Sequence, residues 1–288
     1  MEFPDYRRYE ATRQEANNAL MALLAGSSLA AHTLQLTSAS RQLLPQIFPG
    51  VAHIEYFQLR TDVAKEILSE TGQHLGAVAL PYALALHEDF VTTVVDSVVS
   101  FGYQRRAMGN GPVTHNRVSA WNMHEAVEMT LDSTVAPTAP STYLELFHLL
   151  REMRNSHIHS GGRASVRLHK QIARMSAAAT SEWRRLDRRL PADVIENGRV
   201  RFTIFDIFTV FAVIKVLGRE INAKLRDGLA PKEWGVVAVN DYAGITPHPP
   251  KTDAWMLGLL GHVSLNYAAA ALTKNVLAQI FLRADVPA

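Results

Sequence analysis

Apolar residues recur along most of the chain at the spacing of α-helices. Their period is close to 3.6 residues rather than 2, which favours helices over strands. We therefore expect an all-α fold, a helical bundle of roughly seven to eight helices. The predicted helices span residues 10–36, 54–70, 77–101, 117–131, 142–160, 164–189, 203–228 and 252–282.

Turn-forming residues predict where this helical pattern is interrupted. Asn197-Gly198 is a hairpin turn signal, so one short β-hairpin is predicted near residues 193–203. Residues 231–251 are predicted to form a loop, since they contain four prolines: Pro231, Pro247, Pro249 and Pro250. The chain then divides into an N-terminal helical segment (1–70), a helical bundle (71–230) and a loop with an apolar C-terminal helix (231–288). We expect these parts to form one compact unit.

The segment around residue 150 carries signals for both ends of a helix. Glu145 follows Thr142 at the spacing of a capping box, and Ser141 is the alternative N-cap. Gly161-Gly162 supplies a left-handed stop. The sequence therefore predicts a helix that ends just before these glycines.

The two sides of this helix differ in chemistry. Arg151, Asn155 and His159 form a row at four-residue spacing on the polar side, with Arg154 near the seam. A cation, an amide and an imidazole are thus expected together at one helix end, whereas His157 is expected to pack in the core. At 100° per residue, the apolar face consists of Leu146, Leu149, Leu150, Met153 and His157.

The end of the helix, Arg154-Asn155-Ser156-His157-Ile158-His159, has the form Arg-Asn-x-x-x-His. It resembles the active-site signature of the HEPN superfamily, helical-bundle proteins that include many metal-independent endoribonucleases. A turn followed by a Thr-capped helix, here opening at Thr203, also recurs downstream of the signature in that family. The resemblance implies RNA as substrate, no cofactor and no metal. It also implies a homodimer with facing motif helices, and a toxin or phage-defence role restrained by an antitoxin.

The chemistry of RNA cleavage suggests a role for each motif residue. The arginine fork suits a phosphate, so Arg154 is the expected phosphate contact and Arg151 a second one. Histidine titrates near neutrality, so His159 is the expected general acid or base. Asn155 is expected to orient the substrate or His159.

Basic residues are concentrated after the motif. The formal net charge of the whole chain is only +2, but twelve bases and five acids between Arg151 and Arg201 give that segment +7. Arg163 and Arg167 are its first cations beyond the motif and are predicted to contact substrate. The arginines at 184, 185, 188 and 189 are expected to track phosphate without being needed for the fold. The alternative is an ordinary solvated helix face.

Other features of the sequence concern location and partners. Cysteine is absent, which excludes disulfides, thiolate metal sites and cysteine nucleophiles. The N-terminus is polar and mixed in charge, unlike a signal peptide. We expect a cytoplasmic protein that does not insert in membranes. The uncharged segments near both termini, one between Glu15 and Arg41 and one between Asp253 and Lys274, suit a dimer interface or a buried position.

Three alternatives stay open. Arginine and histidine at a helix C-terminus also serve simply to cap carbonyls and oppose the dipole. A non-catalytic interaction module would use the uncharged terminal helices to bind a partner. A metal site in the bundle would draw on His87-Glu88, His124-Glu125-Glu128 and His148.

Overall fold

The computed structural model describes residues 1–37, 41–103, 122–131, 141–247 and 252–283. In these ranges the fold is all-α with one short antiparallel hairpin, which confirms the predicted fold class. The helices are α1 (Pro4–Gln35), α2 (Leu44–Ile47), α3 (Thr61–Ser69), α4 (Thr71–Ser100), α5 (Met123–Leu131), α6 (Thr142–His159), α7 (Val166–Arg174), α8 (Ala177–Asp187), α9 (Ile204–Gly228), α10 (Pro231–Ala243), α11 (Asp253–Asn266) and α12 (Lys274–Arg283). The strands are β1 (Ile195–Glu196) and β2 (Arg199–Val200).

The chain forms two compact units. The first, called the terminal unit, comprises Met1–Ala11, Leu86–Ala139 and Lys215–Ala288. The second, called the motif unit, comprises Thr12–Ala85 and Pro140–Ile214. Each unit is therefore assembled from segments that are distant in sequence.

Aromatic residues dominate the core of the terminal unit. The Tyr9 ring stacks on Phe90 with 4.3 Å between centroids. A Cβ at Gly218 would lie 2.6 Å from Tyr9 Cε1, so glycine at this position lets the ring pack against α9. Trp255 and Tyr267 are fully buried in the same core.

The motif unit is built around α6. Helices α7 and α8 both pack against it, and Leu168 and Trp183 from these two helices are fully buried. Every residue of α6 from 146 to 153 is buried, on all sides of the helix. The motif therefore lies where a deeply packed helix reaches the surface.

The start of α9 confirms the predicted cap and explains two glycines. Phe205 N donates to Thr203 Oγ1 (3.2 Å), and Thr203 N donates to Asp206 Oδ2 (2.6 Å). Gly72 and Gly76 fall in the gap between the predicted helices 54–70 and 77–101, but both lie inside α4. A Cβ at Gly72 would be 2.9 Å from Ile204 N, so glycine is needed for the close approach of α9.

The predicted loop over 231–251 is wrong in its first half. Pro231 occupies the first turn of α10, where a missing N–H costs nothing. Trp234, Val239 and Tyr242 from this helix are buried in the terminal unit. Pro231 thus marks the start of a helix. Residues 248–251 of the predicted loop lie outside the described ranges.

Three predicted helices are shorter than expected. Residues 164–189 form α7 and α8, because Met175 is extended and Ser176 caps a new helix through Ala179 N. Residues 252–282 break at a 3₁₀ turn followed by Ala271 (φ 48°). Residues 54–70 form a 3₁₀ turn and α3, separated by an extended Arg60. Of the helix predicted over 117–131, residues 117–121 lie outside the described ranges.

One helix of the described residues, α4, is long and apolar enough to cross a membrane by length and composition. Half of its most apolar window is buried inside the fold. A buried core helix has the same composition as a membrane span. The finding therefore gives only weak evidence for a membrane.

Candidate functional site

Local hydrogen bonds fix both ends of α6. At its start, Leu144 N donates to Ser141 Oγ (3.2 Å), which makes Ser141 the N-cap. Glu145 does not complete a capping box, because its carboxylate accepts from Ser176 N (2.7 Å) at the start of α8. At the other end, the helix is closed by Gly162 N, which donates to Ser156 O (3.2 Å). This closure is the glycine stop that the sequence predicts.

The signature residues lie on the last turn and a half of α6. Arg154 and Asn155 are half-buried, and His159 is exposed. Asn155 and His159 are one helical turn apart on the same face, whereas Arg154 is about 140° round the axis from His159. The structure therefore presents the imidazole to solvent and holds the other two side chains partly in the fold.

Arg151 does not lie on an exposed side as the helical row predicts. It is buried, with 9% of its surface exposed, in the part of α6 that is buried on all sides. His148, one turn earlier, is also buried. Burial, together with the nearby Arg151 charge, lowers the pKa of His148 to about 3. Of the expected substrate contacts, Arg151 is thus the one placed inside the fold.

His157 packs as the helical phase predicts. It is half-buried, and its ring meets Phe202 edge to face with centroids 5.1 Å apart. The two neighbouring histidines of the motif therefore differ: His157 packs against Phe202, and His159 is in water.

The hairpin holds the turn that follows the motif. Val200 N donates to Gly162 O (2.8 Å), and Ala164 N donates to Gly198 O (2.9 Å). The Arg199 guanidinium donates from Nη2 to Gly161 O (2.8 Å). The end of α6 is therefore tied by backbone and side-chain hydrogen bonds to a strand some forty residues later.

Two serines form a second tie that the sequence analysis missed. Ser156 is fully buried inside the motif, and its Oγ donates to Ser165 Oγ (3.0 Å). Ser165 N donates back to Ser156 Oγ (3.2 Å), while Ser165 Oγ caps α7 through Leu168 N (3.1 Å). The only available signal was the placement of Ser165 three residues before Leu168, the spacing of an N-cap.

Three exposed arginines lie next to the motif. Arg163 and Arg167 were predicted to contact substrate, and Arg199 joins them because residues 163 and 199 form a β-bridge. We call Arg163, Arg167 and Arg199 the motif arginines. Their side chains reach solvent beside the end of α6 that carries His159.

Other arginines of the basic segment are paired within the protein. Arg185 bonds Glu182 through two nitrogens, and Arg201 donates to Glu70 (3.0 Å). The Arg188 guanidinium lies 4.7 Å from the centre of the Phe205 ring. These contacts favour the alternative of an ordinary helix face, and phosphate tracking by the arginines at 184, 185, 188 and 189 stays a prediction.

Arg189 belongs to a buried ion cluster. Its Nε donates to Asp187 (2.6 Å), its Nη2 to both oxygens of Asp206 (2.8 and 2.7 Å), and its Nη1 to Arg201 O (3.0 Å). Both carboxylates have no exposed surface. Burial and the neighbouring Asp187 charge raise the pKa of Asp206. This cluster joins the end of α8, the hairpin and the start of α9.

The alternative metal site is only partly assembled. His87 Nε2 and His124 Nε2 are 2.9 Å apart, and the Tyr9 hydroxyl lies 2.9 Å from His87 Nδ1. Burial lowers the pKa of His87 to about 3. Glu128 pairs with Lys224. Among the described residues, no group of three or more His, Asp or Glu is placed to hold a metal ion.

The geometry of the motif end thus combines an exposed imidazole, a half-buried guanidinium and amide, and three neighbouring cations. Such a set can bind an anion and exchange a proton with it. No family model, curated protein or solved structure matches this chain.

Proposed function

We propose that the protein is a metal-independent endoribonuclease. In the proposed reaction, the 2′-hydroxyl of the RNA attacks the adjacent phosphorus and the chain is cleaved there. The observation that carries the proposal is the exposed His159 at the end of a buried helix, one turn from Asn155 and next to the motif arginines, with the half-buried Arg154 about 140° round the axis. The likeness of this stretch to the HEPN signature gives the reaction class. A helix end that served only for capping would not need three additional cations at the same surface.

The proposed reaction is an internal displacement at phosphorus. The 2′-oxygen attacks the adjacent phosphorus, the bond to the 5′-oxygen breaks, and a 2′,3′-cyclic phosphate and a 5′-hydroxyl result. One proton leaves the 2′-hydroxyl and one reaches the departing 5′-oxygen. His159 carries one of these protons, Arg154 neutralises the phosphoryl oxygens, and Asn155 orients the substrate or the imidazole.

The reaction needs two proton transfers, but the motif helix of one chain has one exposed imidazole, that of His159. We therefore extend the proposal to a homodimer in which two copies bring their motif helices to one cleft, the arrangement that the HEPN resemblance implies. By the same resemblance, the proposed setting is a cytoplasmic toxin or phage-defence effector restrained by an antitoxin. A strict monomer in solution would contradict the shared cleft.

The test compares two histidine variants in a chelator-containing RNA cleavage assay. We expect His159→Ala to lower the cleavage rate by about 100-fold or more, the usual contribution of a positioned acid or base. His169→Ala is the matched control, because His169 is also exposed and lies on the neighbouring helix α7. It should cleave like the wild type.

The products and the substrate sharpen this test. Cyclic phosphate ends should form, and a substrate with a single 2′-deoxy nucleotide at the cleaved position should stay intact. His157→Ala should mainly lower the thermal midpoint, because that ring packs on Phe202. A wild-type protein that binds RNA without cutting it, under all these conditions, would instead assign the motif to a binding module.

A further inference from the structure

The terminal unit contains a cavity of about 320 Å³, and all of its lining residues belong to that unit. Small-molecule sites generally occupy about 300–1,000 Å³, so this space is large enough for a small ligand. The start of α1, the end of α4 and the end of α10 meet around it. We call it the terminal cavity. None of its lining residues belongs to the motif, so the proposed RNA chemistry does not account for it.

Apolar side chains form part of the wall of the terminal cavity. Phe3 precedes α1 and is only 2% exposed. Phe101 follows α4, and Val237 is a buried residue of α10. Apolar walls contribute to affinity only when an apolar part of the ligand covers them. An occupant that uses this wall therefore has an apolar body.

The carboxylate of Asp241, which also lines the cavity, is held by three neighbours on one oxygen. Its Oδ2 lies 2.6 Å from Arg7 Nη2, 2.6 Å from the Tyr267 hydroxyl and 2.9 Å from His262 Nε2. Burial by itself would raise the pKa of Asp241, but these hydrogen bonds outweigh it and lower the pKa below its ordinary value. The group is therefore ionised at neutral pH. Within the described part of the chain, its Oδ1 accepts no hydrogen bond.

Asp5 supplies a second carboxylate to the same cavity. It lies in the first turn of α1, and its Oδ1 accepts from Arg8, which also lines the cavity. The Arg8 side chain is 75% exposed, whereas those of Asp5 and Asp241 are 14% and 12% exposed. The guanidinium therefore lies largely in water, and the two carboxylates are enclosed at the wall.

The ends of two helices add to the negative charge at the cavity. Ser97 and Ser100 in the last turn of α4, and Asn240 in the last turn of α10, are lining residues. Carbonyl groups at a helix C-terminus carry partial negative charge, which stabilises cations. The start of α1 has the opposite polarity, and Asp5 lies there. The surroundings therefore favour a ligand with a positive charge.

We propose that the terminal cavity binds a small organic amine. Its ammonium group bonds Asp5 and Asp241, and its apolar body packs against Phe3 and Phe101. An ammonium has three N–H donors, and Asp5 Oδ2, Asp241 Oδ1 and the Ser97 hydroxyl are three oxygen acceptors on the lining residues. A bare metal ion would leave the apolar wall unused, and no group of three His, Asp or Glu is placed to hold one in the described ranges. The proposal does not depend on RNA cleavage.

A ligand-observed NMR titration with phenethylamine tests the site. We expect saturable binding to the wild type at up to millimolar concentrations. Phenethyl alcohol and hydrocinnamate have a similar shape, but the first is uncharged and the second is anionic. Both should bind about tenfold more weakly or less, because a hydrogen bond between charged groups contributes about this factor.

Filling the cavity should abolish binding of the amine. Gly244 lines the cavity and has helical backbone angles (φ −73°, ψ −14°). A Cβ there would meet only Asn240 O and Asp241 O, both at 3.7 Å, so Gly244→Leu should fold. Gly261→Leu on α11 is the matched control, because a Cβ at that position would meet nothing within 4 Å. It should bind the amine like the wild type, and circular dichroism should show both variants folded.

A second pair of variants tests the charge. Asp5→Asn should raise the Kd of phenethylamine by about tenfold, and Asp253→Asn, in the first turn of α11, is the matched control. Asp5 is chosen because Asp241 also holds three residues of the fold. Equal affinity for the three probes, or an unchanged Kd in Asp5→Asn or Gly244→Leu, would overturn the proposal. So would the absence of amine binding to the wild type at millimolar concentration.

Discussion

The motif arginines and the half-buried Arg189 come from one basic segment but lie in opposite surroundings. Arg163, Arg167 and Arg199 are exposed near the end of α6, and Arg199 also donates one hydrogen bond to Gly161 O. Arg189, by contrast, is surrounded by Asp187 and Asp206 and by a backbone carbonyl. A high count of cations therefore does not by itself describe a binding surface. Only those cations that are exposed and not paired with carboxylates of the protein are available to bind a ligand.

The largest expected effect comes from removing Arg189, the cation that pairs with two buried carboxylates. Arg189→Ala leaves two carboxylates without their partner in a dry site, which typically costs about 3–5 kcal/mol. We expect the free energy of unfolding, measured by urea denaturation, to fall by about this amount. Arg185→Gln is the matched control, because its ion pair with Glu182 is at the surface and should matter little. Equal losses of unfolding free energy in the two variants would show that Arg189 stabilises the fold no more than a surface arginine does.

The next effect concerns RNA affinity rather than stability. Replacing all three motif arginines by glutamine removes up to three phosphate contacts. The slope of log affinity against log salt should then flatten by about 2, at about 0.7 per phosphate for a single strand. Urea denaturation should show a loss of no more than about 1 kcal/mol, because these side chains are exposed and the change removes the single bond from Arg199 to Gly161 O. Filter binding over a salt series measures the slope.

The control for that measurement is a triple glutamine variant of Arg184, Arg185 and Arg188. It removes the same number of charges from α8 and the residue that follows it, where Arg185 and Arg188 already contact Glu182 and Phe205. Its salt slope should stay close to that of the wild type. If it flattens the slope as much as the motif triple does, the two groups of arginines are equivalent toward RNA.

The smallest effect is a pH dependence of stability. The pKa of Asp206 is raised in the fold above its ordinary value of 3.8, because the group is buried next to Asp187. The folded state therefore binds this proton more tightly than the unfolded state. The resulting stability is complete below about pH 4 and is lost as the pH rises through the folded pKa.

Urea denaturation of wild type and Asp206→Asn, from mildly acidic to mildly alkaline pH, isolates this contribution. The wild type should lose stability toward alkaline pH more steeply than the variant. The variant cannot ionise at this position but keeps an oxygen to accept from Thr203 N. Parallel pH curves for the two proteins would show that the Asp206 pKa is the same in the folded and unfolded states.

Local signals in the sequence determined most of the helices and the placement of the motif. Apolar spacing predicted the helical class, Gly161-Gly162 the end of α6, and Asn197-Gly198 the hairpin turn. These features depend on residues within a few positions of one another, so they can be read along the chain. The prediction that His157 packs on the apolar face of α6 is confirmed for the same reason. The single long helix expected over 164–189 failed because the cap at Ser176 is a weak local signal.

Only the tertiary structure decided which charged residues meet water. Helical periodicity assigns one buried and one exposed face to each helix, but residues 146–153 of α6 are buried on every side, Arg151 among them. Pairing of Arg189 with Asp206, and of Arg199 with Gly161, depends on contacts between segments distant in sequence. Burial and ion pairing are properties of neighbours in space, and no spacing along the chain encodes them.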